Sequence, residues 1–435
     1  MTVALERVTE EAPGDRALYR RVLWRIMPVV VFTYFVCYID RISISFLKLR
    51  MLDDLGFSEI TYSFGVGLFF WGYLLFQAPI SMIVARAGAR RSIAVLSLIW
   101  GVLSAAMMTI QSAPSFYVLR FLLGVGEAAF FPAVLLYFTQ WFPARRQGRV
   151  MSFLFLATPL GVVLGGPAVG WVMEAADGVQ GLAGWRWAFL LSAIPSLAAA
   201  GLMAFVLKDR PAEARWLAPE EAARLTAALE EDGHGRTSAV GQALRSPLVW
   251  LLALICFLYN IGHYGLLFWS PTIIQAFGLD SPAQIGLLSA VPYATACVAM
   301  LVTAASSERR RERRLHCGLP ITFAGFALAA SALTADNLPV SMLFLSLAVA
   351  GVTTTLALFW SIPGGLLSGA AAAAGVAFIN SAAVVAGMIG PGIVGVVKQA
   401  SGSASAGMLV LSVVLLAAGG LILCIPRHVW RQLDR

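Results

Sequence analysis

The chain has 435 residues, of which 59% are hydrophobic and only 12% charged, against about 25% charged in a soluble globular protein. There is too little polar side chain to cover a water-facing surface, so a soluble multidomain enzyme is excluded and an all-α polytopic membrane protein is expected. The net charge of +8 raises nucleic acid as a partner, a reading that the placement of the bases removes.

Residues 1–21 form a polar, charged tail without the short apolar core and small-residue cleavage site of a signal peptide. Twelve apolar stretches follow, each near the roughly 20 residues that cross ~30 Å of hydrocarbon. In chain order they lie near 22–46, 60–84, 92–111, 115–138, 150–173 and 186–207, then 247–270, 283–305, 315–335, 338–361, 373–397 and 404–426. Two six-helix bundles, 22–207 and 247–426, are thus expected, with a short tail at 427–435. The segment between them, 208–246, is polar; Pro219-Glu220-Glu221 opens an amphipathic helix in it, which Gly233 and Gly235 end.

If the first span leaves the cytoplasm, 25 of the 31 lysines and arginines fall at cytoplasmic ends and loops. By the positive-inside rule both termini are cytoplasmic, and the basic excess is topological rather than a nucleic-acid footprint. The two bundles also echo each other. ARAGARR (85–91) has a counterpart in ERRRERR (308–314), and Gly166-Pro167 in Gly390-Pro391. Paired six-helix repeats with a site at their interface are a recurrent transporter plan, and the glycines of spans 5 and 11 suit close helix approach.

A charge at the bilayer centre costs at least ~2.5–3.5 kcal/mol, so it persists only with a partner or a task. Asp40, Arg41, Arg120, Glu127 and His263 stand well inside the spans. The first four sum to zero, which fits a neutral cluster pinning spans 1 and 4. It also fits chemistry. An arginine offers a planar fork for a carboxylate, and a carboxylic acid in a dry cavity can carry a proton. Arg120 and Glu127, seven apart, share one helix face about 10 Å apart along the axis at ~1.5 Å per residue. The two arginines are expected near one level, with Glu127 deeper. The five cysteines lack metal spacing, and no HExxH, GxSxG or P-loop supports an enzyme.

Several stretches together resemble the major facilitator superfamily, and within it the anion:cation symporter family. They are CYIDRISIS (37–45), LRFLLGVGEAAFFPA (119–133), QWFPARRQGR (140–149), GWRWAF (184–189), KDRPAEARWL (208–217), FWSPTII (268–274) and the glycine-rich span 11. The resemblance implies twelve helices in two pseudo-symmetric bundles and proton symport of an organic anion in a bacterial inner membrane. It implies proton coupling by Asp40 and Glu127, anion handling by Arg41 and Arg120, and ligand contacts from Tyr38, Tyr73, Trp360 and Asn380. Read from the sequence alone, Trp360 is equally an interfacial tryptophan, Asn380 a helix–helix contact, and the tyrosines packing residues. Thr158 stands where sugar-acid members offer a longer amide, and His263 is open between ligand and hydrogen-bonded structural residue. Ala85 replaces the acid of the family's span 2–3 signature, which puts a gating ion pair there in doubt.

The sequence therefore points to a secondary transporter taking up a dicarboxylate, aromatic acid or sugar acid, with export or a transport-dead sensor as alternatives. Protons are the expected coupling ion, with no cofactor or metal. A small organic anion and the lipid bilayer are the expected partners, and the chain is expected to act as a monomer.

Overall fold

The computed structural model describes residues 13–231, 244–360, 362 and 370–430. Twelve helices among them are long and apolar enough to cross a membrane. The helices in chain order are α1 (Pro13–Leu55), α2 (Glu59–Ala87), α3 (Ala89–Ala106), α4 (Ala113–Glu127), α5 (Phe130–Thr139), α6 (Ala144–Ala175), α7 (Gly184–Phe205) and α8 (Pro219–Glu231). After the central segment come α9 (Pro247–Gln275), α10 (Pro282–Arg310), α11 (Arg314–Leu333), α12 (Leu338–Phe359), α13 (Ala370–Ser401), α14 (Ala404–Cys424) and the short α15 (Arg427–Trp430). Phe205 and Leu333 are 84% and 75% exposed. Such side chains would be costly in water and mark the lipid-facing surface.

Two differences from the sequence reading matter for the site. The first span was expected to end at 46, but α1 runs on to Leu55 and buries Lys48. The fourth span is two helices, broken at Ala128–Ala129 directly after Glu127. Pro132 explains the break: it has no N–H for the carbonyl of Ala128, and its ring crowds that carbonyl. Of the expected segments, residues 1–12, Gly233, Gly235 and 431–435 lie outside the described residues.

The chain crosses between a face holding the start of α1 and the central segment, and a far face holding the turns after α1, α3, α6, α9, α11 and α13. Helices α2, α4, α10 and α12 begin at the far face. Ser58, Ser112, Ser281 and Asn337 cap them by accepting from backbone N–H groups three residues on. On the opposite face Arg21 of α1 pairs with Glu221 of α8 at 3.0 Å, which docks the central helix. Arg90 finds its acid not at the position of Ala85 but at Asp209, 3.2 Å away in KDRPAEARWL. The backbone carbonyl of Lys208 accepts from Tyr137 and Trp141.

The first six spans meet the last six through α1 on α9, α2 on α13, and α6 on α10. Small residues let α6 and α10 touch, because a Cβ on Gly286 would stand 2.4 Å from the carbonyl oxygen of Gly166. Within the first six, α2 and α4 are equally close, since a Cβ on Gly124 would meet the Phe69 carbonyl oxygen at 1.9 Å. That second approach places Phe69 in the charged cluster.

Candidate functional site

Arg41 extends from α1 to Glu127, the last residue of α4. Its Nη2 and Nε donate to the same carboxylate oxygen at 2.5 and 3.2 Å. The thiol of Cys37, one turn earlier on the same face of α1, donates to that oxygen at 3.5 Å. The other oxygen of Glu127 has no hydrogen-bond partner, although the residue is fully buried. Glu127 is thus held through one oxygen by an arginine that is itself 15% exposed at its side chain.

Asp40 points elsewhere, because consecutive helix residues are about 100° apart around the axis. The hydroxyl of Ser104, on α3, donates to one of its carboxylate oxygens, and the other has no partner. Asp40 is buried, and no ion pair joins it to an arginine among the described residues. Arg120 donates through Nε to the carbonyl of Gly65 at 3.4 Å; its Nη2 has no partner and the residue is 1% exposed.

The quartet is therefore brought together, with Arg41 on Glu127 and Asp40 on Ser104. The guanidinium groups share the Phe69 ring, 5.3 Å from Arg41 and 4.9 Å from Arg120. The physical reason is the Gly124 contact, which brings α2 close enough for Phe69 to occupy that place.

Tyr38 and Tyr73 complete the aromatic surround of Arg41, with ring centres 6.0 and 5.6 Å away, in the range of cation–π attraction. Tyr38 shares a 3.3 Å hydrogen bond with Nε2 of His263 on α9, a direct link between the two halves at the depth of the cluster. Thr158 is buried on α6, and the ring of Tyr34 lies 6.2 Å from that of Tyr38. Trp360 caps α12, edge-on to Phe359 at 5.8 Å. Asn380 is partly exposed on α13 and makes no hydrogen bond among the described residues. Neither is seen in contact with the quartet.

Sequence reasoning missed Ser104, Cys37 and Phe69. Cys37 had a usable signal, four residues before Arg41, whereas Ser104 and Phe69 are ordinary residues of apolar spans. It also missed a second charge cluster. Lys48, 3% exposed, pairs with Glu59 of α2 at 2.8 Å, and Lys398 of α13 pairs with the other oxygen of Glu59. The ammonium of Lys48 lies 3.3 Å from the ring centre of Trp269, on α9. Nearby at the far face, Glu174 accepts from the Ser281 hydroxyl at 2.6 Å, and Arg50 donates to the Asp280 carbonyl at 3.1 Å. These bonds join the halves at the far face. Among the described residues no group of three or more His, Cys, Asp or Glu is placed to hold a metal ion.

A sequence profile described as Major Facilitator Superfamily matches residues 30–391. The chain is 39% identical over 416 residues, 95% of each chain, to a candidate metabolite transport protein, NicT, of Pseudomonas putida. It is 40% identical over 418 residues to a candidate tartrate transporter of Agrobacterium vitis, covering 95% of this chain and 92% of that one. The fold matches an inward-open structure of the xylose transporter XylE from E. coli with a TM-score of 0.72, at 18% identity, over 93% of this chain and 96% of the other.

Proposed function

This chain belongs to the major facilitator superfamily and is a multi-pass transport protein, and from that premise we propose that it takes up a small organic carboxylate by proton symport with alternating access. The observation that carries the reading is the Arg41–Glu127 pair. A substrate carboxylate and Glu127 compete for one guanidinium fork. If the substrate takes Arg41, Glu127 becomes a fully buried acid without its counterion, a state that is strongly unfavourable unless a proton neutralises it. Anion binding and proton binding therefore favour one another. Asp40, with one oxygen unmatched, holds a second proton, and Arg120 supplies a fixed positive field behind Phe69.

The relative named for tartrate supports an organic acid as substrate. The crowding of bases at the loops on the central-segment face supports a bacterial inner-membrane protein with both termini cytoplasmic. The site lies within one chain, so a monomer suffices.

The test is protein-dependent uptake of a labelled carboxylate into proteoliposomes. Accumulation should rise with an inward proton gradient and collapse on adding a protonophore. Accumulation driven by sodium and indifferent to the protonophore would contradict the coupling.

A further inference from the structure

Two features of the cluster narrow the substrate, given the carboxylate reading on which this inference rests. The first is the inequality of the arginines. Arg41 keeps 15% of its side chain accessible, while Arg120 is 1% exposed and lies against Phe69. Of these two guanidinium groups, that of Arg41 is the one with accessible surface. A dicarboxylate would leave its second carboxylate without a cationic partner in a poorly hydrated site, at a large desolvation cost.

The second is an aromatic collar closed across the two halves. Around Arg41 it runs from Tyr38 to His263, which share a hydrogen bond, and on to Tyr264, 5.2 Å between ring centres. Tyr264 meets Phe70 edge-on at 4.9 Å, Phe70 meets Phe69 at 5.2 Å, and Phe69 returns to Arg41. Polar groups for a ligand are few. The hydroxyl of Tyr38 is engaged with His263. The hydroxyls of Tyr73 and Tyr264 make no hydrogen bond among the described residues. Two free phenols suit one or two polar ring substituents, but not the chain of hydroxyls on a sugar acid, each of which would need a partner once buried.

We infer that the substrate is a monocarboxylate carried on a flat aromatic ring, its carboxylate on Arg41 and its ring against the collar formed by Tyr38, Phe69, Phe70, Tyr73, His263 and Tyr264. Ring stacking has directional preferences that a saturated ring of the same size cannot satisfy. The class is therefore separable from acids of equal charge and bulk.

The experiment is direct binding to the purified full-length protein of benzoate, 4-hydroxybenzoate and 2-naphthoate, against cyclohexanecarboxylate, succinate, tartrate and gluconate. At least one flat-ring acid should bind roughly three- to tenfold more tightly than cyclohexanecarboxylate, the range that aromatic pairing supplies, and more tightly still than the other three. Tyr73→Leu should bring that acid and cyclohexanecarboxylate within about twofold of each other; should the variant not fold, the wild-type ranking decides alone. If succinate, tartrate, gluconate or cyclohexanecarboxylate binds as tightly as the best flat-ring acid, the inference is overturned and the carboxylate reading stands. If none of the acids binds, both are overturned.

Discussion

The Arg41–Glu127 pair and the Lys48–Glu59–Lys398 cluster both bury opposite charges in apolar surroundings, yet they tie together different things. The first joins α1 to α4, inside the first six spans. The second joins α1 and α2 to α13, across the two halves and at the far face. A pair inside one rigid half can exchange partners without moving a helix, which suits a binding site. A pair across the halves must break whenever they part at that face, which suits a latch. Composition carries the same lesson: Arg41 retains some access and a lone counterion, whereas Glu59 holds two lysines backed by Trp269.

The sharpest way to break the comparison is to remove one member of the inner pair. Arg41→Ala leaves a fully buried carboxylate uncompensated, a change that costs about 3–5 kcal/mol. The expected result is a clear fall in melting temperature together with loss of detectable ligand binding. Arg41→Met combined with Glu127→Gln should recover most of the stability and none of the binding.

The latch should respond in the opposite way. Glu59→Gln removes the charge that both lysines share, and losing about 1.4 kcal/mol of pairing moves a two-state equilibrium roughly tenfold. A cysteine at Ser63, buried between α2 and α13, should then react roughly tenfold faster with an impermeant thiol reagent applied at the far face. Ligand affinity should change by less than about threefold. Equal labelling rates with weakened binding would make Glu59 part of the site instead.

A smaller effect is expected at Asp40. Ser104→Ala removes its one hydrogen-bond donor and should lower stability by about 1–3 kcal/mol, with ligand affinity within about threefold of wild type. The smallest belongs to Asp209→Asn. Its pair with Arg90 is 23% and 24% exposed at the two side chains, so about 1 kcal/mol or less is expected in thermal unfolding.

The spans and the members of the inner cluster were legible in the sequence because a bilayer makes both conspicuous: apolar length reports a crossing, and a charge inside it is expensive. Which charges pair was not legible. Arg41 finding Glu127, and Asp40 finding Ser104, depend on the rotation and closeness of α1, α2, α3 and α4, set by contacts such as Gly124 on Phe69. The latch was hidden for another reason. Lys48 follows the expected end of span 1, where a lysine normally meets water, and only the continuation of α1 to Leu55 buries it. The break after Glu127 was within reach, since Pro132 stands four residues after Ala128. Trp360 and Asn380 make no hydrogen bond, ion pair or ring contact with the cluster among the described residues.

The central claim, that Glu127 and the substrate exchange places on Arg41 with a proton making the exchange neutral, is tested most directly by Glu127→Gln in proteoliposomes. An uncharged amide mimics the protonated acid, so exchange of labelled for unlabelled carboxylate should persist while accumulation driven by a proton gradient is lost. Wild-type accumulation by the variant would contradict the account.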